Sequence, residues 1–172
     1  MPSTGASRAY METCIFCKLS KGEHPQARLH EDDELFVVED IHPHAPHHYL
    51  VITKSHIGRP TDLDSRDAGL VRRLEACGRN FLSARLKAVG EGDIMENKLR
   101  LGFHWPPLLS ISHLHMHVIY PADQMYFFYR NFIFRPGRYF RTASTVATAL
   151  ESTMTPPADK SVAEEETGSS KI

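Results

Sequence analysis

Cysteine is scarce in this sequence: three residues, at positions 14, 17 and 77, in a chain of 172. An odd count, with two of them at C-x-x-C spacing, excludes a disulfide scaffold. Long apolar runs are missing too, and none approaches the roughly 18 residues that a membrane span needs. Residues 1–12 lack the apolar stretch of a signal peptide, and their single arginine is too little for a transit peptide. Charge of one sign is also lacking. Twenty basic and 21 acidic residues leave a formal net charge of −1, which excludes broad attraction to nucleic acid or to an anionic membrane. No internal repeat is visible. These absences leave a soluble, intracellular chain, read as cytoplasmic with the nucleus as a second compartment. Its length predicts one domain able to bury a real core.

Histidine, by contrast, is abundant. All 11 lie between positions 24 and 117, so the chemistry is expected in the middle of the chain. Three occur at i, i+2 and i+4 in Ser110-Ile111-Ser112-His113-Leu114-His115-Met116-His117-Val118-Ile119. On a strand the three imidazoles share one face, and Leu114, Met116 and Val118 take the other. On a helix they would spread over about 200°. Neutral imidazole is a nucleophile near pH 7 and suits attack on phosphorus, because the N–P bond it forms is labile. Alternate histidines on a strand are also a common metal-ligand pair. Spacing alone leaves both readings open.

The remaining elements follow from period and punctuation. Residues 1–12 and 151–172 are polar and aperiodic and are expected to be disordered, flanking a domain over 13–150. Ile15, Phe16 and Leu19 suit a short helix ended by Gly22 and Pro25. Glu31 to Glu34 form a turn between two short strands, and the prolines of Asp40 to Pro46 make that stretch a loop. His47 to Thr53 and Lys98 to Phe103 read as strands. Asp64 or Ser65 caps a helix running to about Val89, with Gly90 as its stop and Leu70, Val71, Leu74, Cys77, Phe81 and Leu82 on one face. Its arginines read as a solvated face, and Cys77 as a core residue. Tyr126 to Phe140 is an aromatic stretch broken by Pro136-Gly137, and residues 143–150 suit a closing helix. The fold expected is α+β: about five antiparallel strands, one long helix and short flanking helices.

His113-Leu114-His115-Met116-His117-Val118-Ile119 resembles the H-φ-H-φ-H-φ-φ signature of the histidine triad superfamily at every position. The likeness extends over residues 14–120, through Cys14-x-x-Cys17, Asp40-Ile41-x-Pro43-x-Ala45-Pro46 and His48-Tyr49-Leu50-Val51-Ile52-x-Lys54-x-His56. That order resembles the nucleotide-binding branch of the superfamily. Gly102-Phe103-His104-x-Pro106-Pro107, Ser110-Ile111-Ser112 and the aromatic extension look closest to its type 3 group. The resemblance implies hydrolysis of a purine nucleoside 5′-monophosphoramidate or an aminoacyl adenylate through a nucleotidyl-histidine, with no cofactor needed for the chemistry. It implies His115 as nucleophile, His117 at the α-phosphate and leaving group, and His48 holding His115 in its working tautomer. Ser110 would bond the phosphate or leaving group, and Asp40, beside Ile41, the ribose hydroxyls. Ile15, Phe16, Leu19 and Val38 would form the base slot. A homodimer with sheets joined across the subunit boundary is also implied, with larger assemblies in the type 3 group.

The branch carries an Asn in the strand before the triad and a Gln just before the serine, where this chain reads Gly102 and Leu109. His104 or Ser112 are the local polar substitutes. Zinc-bearing relatives use a C-x-x-C pair with two histidines, which implies a structural zinc on Cys14, Cys17, His56 and His113. A vacant reduced pair stays open, and a redox role lacks a thioredoxin-like context. Three other functions share parts of the pattern. A dinucleoside polyphosphate hydrolase would carry the Gln that Leu109 replaces. An aprataxin-like deadenylase would need a C-terminal zinc finger, yet residues 121–172 contain no cysteine. A slow-turnover nucleotide-binding module is the non-enzymatic alternative.

Overall fold

Residues 9–153 are described in the structure, a computed structural model. The expected disorder of residues 1–8 and 154–172 lies outside them. The chain opens with helix α1 (Ile15–Lys21), which ends at Gly22 in the left-handed conformation, φ 76°. Strands β1 (His30–Glu31), β2 (Leu35–Glu39) and β3 (His47–Thr53) follow. The long helix α2 (Ala68–Ala88) is entered through a 3-10 turn at Ser65–Asp67. There the Asp64 carboxylate accepts the Arg66 N–H, as the capping preference predicts. Strands β4 (Arg100–His104) and β5 (His115–Tyr120) complete the centre, and β6 (Phe140–Thr142) with α3 (Ala143–Ser152) closes the fold.

The sheet is antiparallel throughout in the order β1-β2-β3-β5-β4-β6, so it has six strands rather than about five. The additional strand is β6, which the aromatic residues and Pro136-Gly137 disguise in the sequence. Helix α3 extends to Ser152, two residues past the domain edge expected from composition. Met11 N–H donates to Cys17 Sγ at 3.5 Å and Tyr10 OH to Glu23 at 2.6 Å, so the residues just before α1 are tied to it.

One face of the sheet carries the main core, where Val51, Leu101, Phe103, Leu114, Met116 and Val118 pack against Leu70, Val71, Leu74, Leu82 and Leu86 of α2. Each such side chain contributes about 1.5–3 kcal/mol on burial. Gly78 permits the close approach, since a Cβ there would lie 2.7 Å from Val118 and 2.9 Å from Met116. The opposite face carries His113, His115 and His117, with Phe16, Leu19, Phe36, Val38, Leu50 and Ile52 as its own apolar cluster. Alternation along β5 thus divides core from working surface.

Candidate active site

Strand register assembles the site. Leu50 lies opposite His117 and Ile52 opposite His115, so side chains from β3 flank the triad on its own face. Gly102 of β4 lies opposite His117 on the other side. The ladder begins at His115. His113 precedes it, held by the Leu114 N–H bond to the Ile57 carbonyl at 2.7 Å.

His115 Nδ1 lies 2.6 Å from the His113 carbonyl oxygen. A carbonyl only accepts, so the His115 proton sits on Nδ1 and the lone pair on Nε2. Burial lowers the His115 pKa from its ordinary 6.5, against the carbonyl and Asp40, which raise it. The imidazole is therefore neutral near pH 7, with the Nε2 lone pair uncommitted to the backbone.

His48 does not orient His115. His44 N–H donates to His48 Nδ1 at 3.1 Å, which puts the His48 proton on Nε2. That proton faces His117 Nδ1 at 3.0 Å, and the Asp40 Oδ2 atom lies 3.3 Å away. The expected link from His48 to His115 is thus replaced by one to His117, while the His113 carbonyl fixes the His115 ring. His117 in turn carries its proton on Nε2, a buried atom without a partner among the described residues. Burial pushes the pKa of His48 down to about 4 and that of His117 well below 6.5. The result is a neutral N–H donor with nothing to bond, an arrangement suited to a phosphoryl oxygen.

A cavity of about 340 Å³ opens in front of the triad. His115, His117, Ser110, Asp40, Ile41, Ile15, Phe16, Leu19 and Val38 line it, so the expected nucleotide-site residues come together there, and only His48 lies behind the wall. The Phe16 ring meets His115 edge-on at 5.1 Å. Asp40 Oδ1 accepts the His42 N–H at 2.8 Å, which holds the carboxylate at the rim. Leu50 and Ile111 also line the cavity but escaped the sequence reading. For Leu50 the signal existed, because it shares its strand face with His48.

The approach to the triad has a physical explanation. A Cβ on Gly102 would lie 2.3 Å from the Arg141 carbonyl oxygen and 2.8 Å from the Phe140 ring, so β6 occupies the space an Asn would need. His104, two residues on, places its ring 4.6 Å from that of His117. Its Nδ1 is buried without a partner among the described residues, and burial pushes its pKa down to about 4. His104 therefore brings a neutral imidazole beside His117, in the region where the branch pattern has Asn.

Cys14, Cys17, His56 and His113 converge next to the triad. Cys14 Sγ to His113 Nδ1 is 3.3 Å, Cys17 Sγ to His56 Nδ1 3.3 Å, Cys17 Sγ to His113 Nδ1 3.6 Å, and the two Nδ1 atoms are 3.2 Å apart. Zn–N bonds of about 2.0–2.1 Å and Zn–S bonds of about 2.3 Å give tetrahedral edges of roughly 3.3–3.7 Å, so the set fits such an ion. His113 Nε2 faces the Thr53 carbonyl at 2.7 Å, which leaves Nδ1 as the ligand nitrogen.

The family model for the scavenger mRNA decapping enzyme C-terminal binding domain matches residues 13–132. An adenosine 5′-monophosphoramidase HINT3 from Danio rerio is 42% identical over 141 residues, covering 81% of this chain and 84% of that protein. The chain belongs to the histidine triad superfamily. An adenosine 5′-monophosphoramidase HINT3 from Mus musculus is 36% identical over 141 residues, 81% of each chain. Among solved structures, a HIT family hydrolase from Legionella pneumophila Philadelphia 1 aligns with a TM-score of 0.53 at 30% identity, covering 62% of this chain and 90% of that one. This histidine triad chain thus matches the type 3 members of the nucleotide-binding branch over most of its length.

Proposed function

We propose that this histidine triad protein is a purine nucleoside 5′-monophosphoramidase. The observation that carries the reading is the His115 pair of contacts: Nδ1 committed to the His113 carbonyl and the ring lining the cavity. The base lies in the slot of Ile15, Phe16, Leu19 and Val38, and Asp40 accepts the ribose hydroxyls. His115 Nε2 attacks the α-phosphorus, an N–P bond forms, and the P–N bond to the amine breaks. His117 Nε2–H bonds a phosphoryl oxygen as negative charge grows there. The amine leaves with its bonding pair and a proton passed by Ser110 from solvent. Water then attacks phosphorus, releasing the monophosphate and restoring His115. HINT3 relatives named as adenosine 5′-monophosphoramidases support this substrate class.

Zinc on Cys14, Cys17, His56 and His113 completes the reading. When bound, it would supply a structural crosslink between α1, the loop after β3 and the start of the triad, and no chemical step passes through it.

The deciding experiment is a single turnover with labelled adenosine 5′-phosphoramidate, quenched in base. Acid-labile label on the wild-type protein and none on His115→Ala is expected. Unlabelled wild type, or equal label on His115→Ala, rejects the mechanism.

A further inference from the structure

A further group of ligand-type side chains gathers at the β1 edge of the sheet, the far edge from β6. His30 sits on β1, Asp32 in the turn between β1 and β2, and Cys77 on α2. Their ligand atoms fall within 4.8 Å of one another. All three line a cavity of about 430 Å³ between the hairpin and the helix. The cavity lies on the α2 side of the sheet, so the sheet itself separates it from the triad.

None of the three side chains is committed elsewhere. Asp32 Oδ1 accepts the Glu34 N–H at 2.8 Å and the Leu35 N–H at 2.7 Å, which fixes the carboxylate and leaves Oδ2 open. The Cys77 thiol, half-buried at the margin of the main core, makes no hydrogen bond among the described residues. The His30 side chain is exposed and makes none either, its ring lying 6.4 Å from that of Phe81. Arg73 lines the same cavity, but Glu34 holds it at 2.7 Å, so it compensates neither the carboxylate nor the thiol. The turn requires Asp32 alone. It does not require an imidazole and a thiol within reach of the same carboxylate.

The donor set narrows the ligand. Magnesium and calcium take oxygen donors, whereas an imidazole and a thiolate beside one carboxylate suit a cation of zinc's class. The tetrahedral edges around such an ion, roughly 3.3–3.7 Å, are shorter than the widest separation here, and the unbonded His30 ring can close the difference. Burial and the Asp32 carboxylate push the thiol up to about 11, so an arriving cation displaces its proton to solvent. Three protein ligands facing a cavity leave the fourth position to water, unlike the four-residue set beside the triad.

We propose that His30, Asp32 and Cys77 form a divalent-cation site of zinc's class, separate from the Cys14 set, that ties the β1–β2 hairpin to α2. The proposal depends neither on the phosphoramidase reading nor on zinc at Cys14 and Cys17.

Cobalt(II) is the probe, because thiolate coordination gives it a charge-transfer band. The full chain carrying Cys14→Ser/Cys17→Ser is the background, because Cys77 is then its one cysteine. The band is expected to saturate at one equivalent, to fade as zinc competes, and to vanish when Cys77→Ser is added. His30→Ala and Asp32→Asn are each expected to weaken cobalt binding at least about tenfold; the Asn keeps an oxygen for the two backbone bonds of the turn. Thermal melts check that each variant folds, and cobalt is expected to raise the midpoint of the background. Should the background not fold, zinc content after dialysis decides: Cys77→Ser is expected to hold one ion fewer than wild type. The proposal is overturned by a folded background without the band, by a band that His30→Ala and Asp32→Asn leave unchanged, or by equal zinc in wild type and Cys77→Ser.

Discussion

His48 Nε2 lies 3.0 Å from His117 Nδ1, and through this contact the buried histidine sets the proton position of its neighbour rather than that of His115. His48→Ala should leave nucleotidylation of His115 possible while weakening stabilisation of the developing charge. A fall of roughly 10–100-fold in kcat is expected, with label still found on His115 after quenching. Label lost from His115 in this variant would mean that His48 serves the nucleophile after all.

Gly102 is the residue that lets β6 lie flat on β4. Gly102→Asn should force β6 off the sheet, because the new Cβ meets the Arg141 carbonyl at 2.3 Å. Overpacking of this kind costs about 1–3 kcal/mol, which a urea titration would resolve. An unchanged midpoint would show that β6 yields without cost.

Acid should destabilise the fold early. His48 and His104 have folded pKa values pushed down to about 4 from 6.5 by burial. Between these values the unfolded chain binds protons that the folded chain excludes. Stability is therefore full above pH 6.5 and falls as the pH drops from 6.5 toward 4, by on the order of 1–3 kcal/mol per histidine. Denaturant titrations across this range check the sign. His104→Phe should flatten the slope, and a slope unaltered by it would mean that His104 is protonated in the folded state.

The proposed zinc set and the proposed nucleophile share one residue: the His113 ring lies among the thiols while its carbonyl holds His115. Cys14→Ser/Cys17→Ser should carry less zinc by elemental analysis and melt at a lower temperature. Turnover should fall through looser orientation of His115, with the pKa of the remaining activity moved. Equal zinc in variant and wild type rejects the site.

Much of this was legible from periodicity. The two-residue period of 113–119 separated the histidine face from Leu114, Met116 and Val118, and the 3.6-residue period of 70–82 marked α2. The C-x-x-C spacing pointed to the two thiols that meet His56 and His113. What escaped depends on relations between distant strands. The partner of His48 is set by the β3–β5 register, which pairs His48 with Ile119 and lets its ring reach His117 diagonally. The reason for Gly102 resides in Phe140 and Arg141, some forty positions on, in a strand that Pro136-Gly137 hid.

Strand β6 has one more consequence. It pairs with Gly102 to His104 of β4, and Arg100, at the start of that strand, is bound by the carbonyls of Arg130 and Phe134. The chain thus hems its own sheet with its own last segment. Any seam between two copies that extends the sheet would have to displace this hem, pair with its own short outer edge of three residues, or start from β1, which is only two residues long.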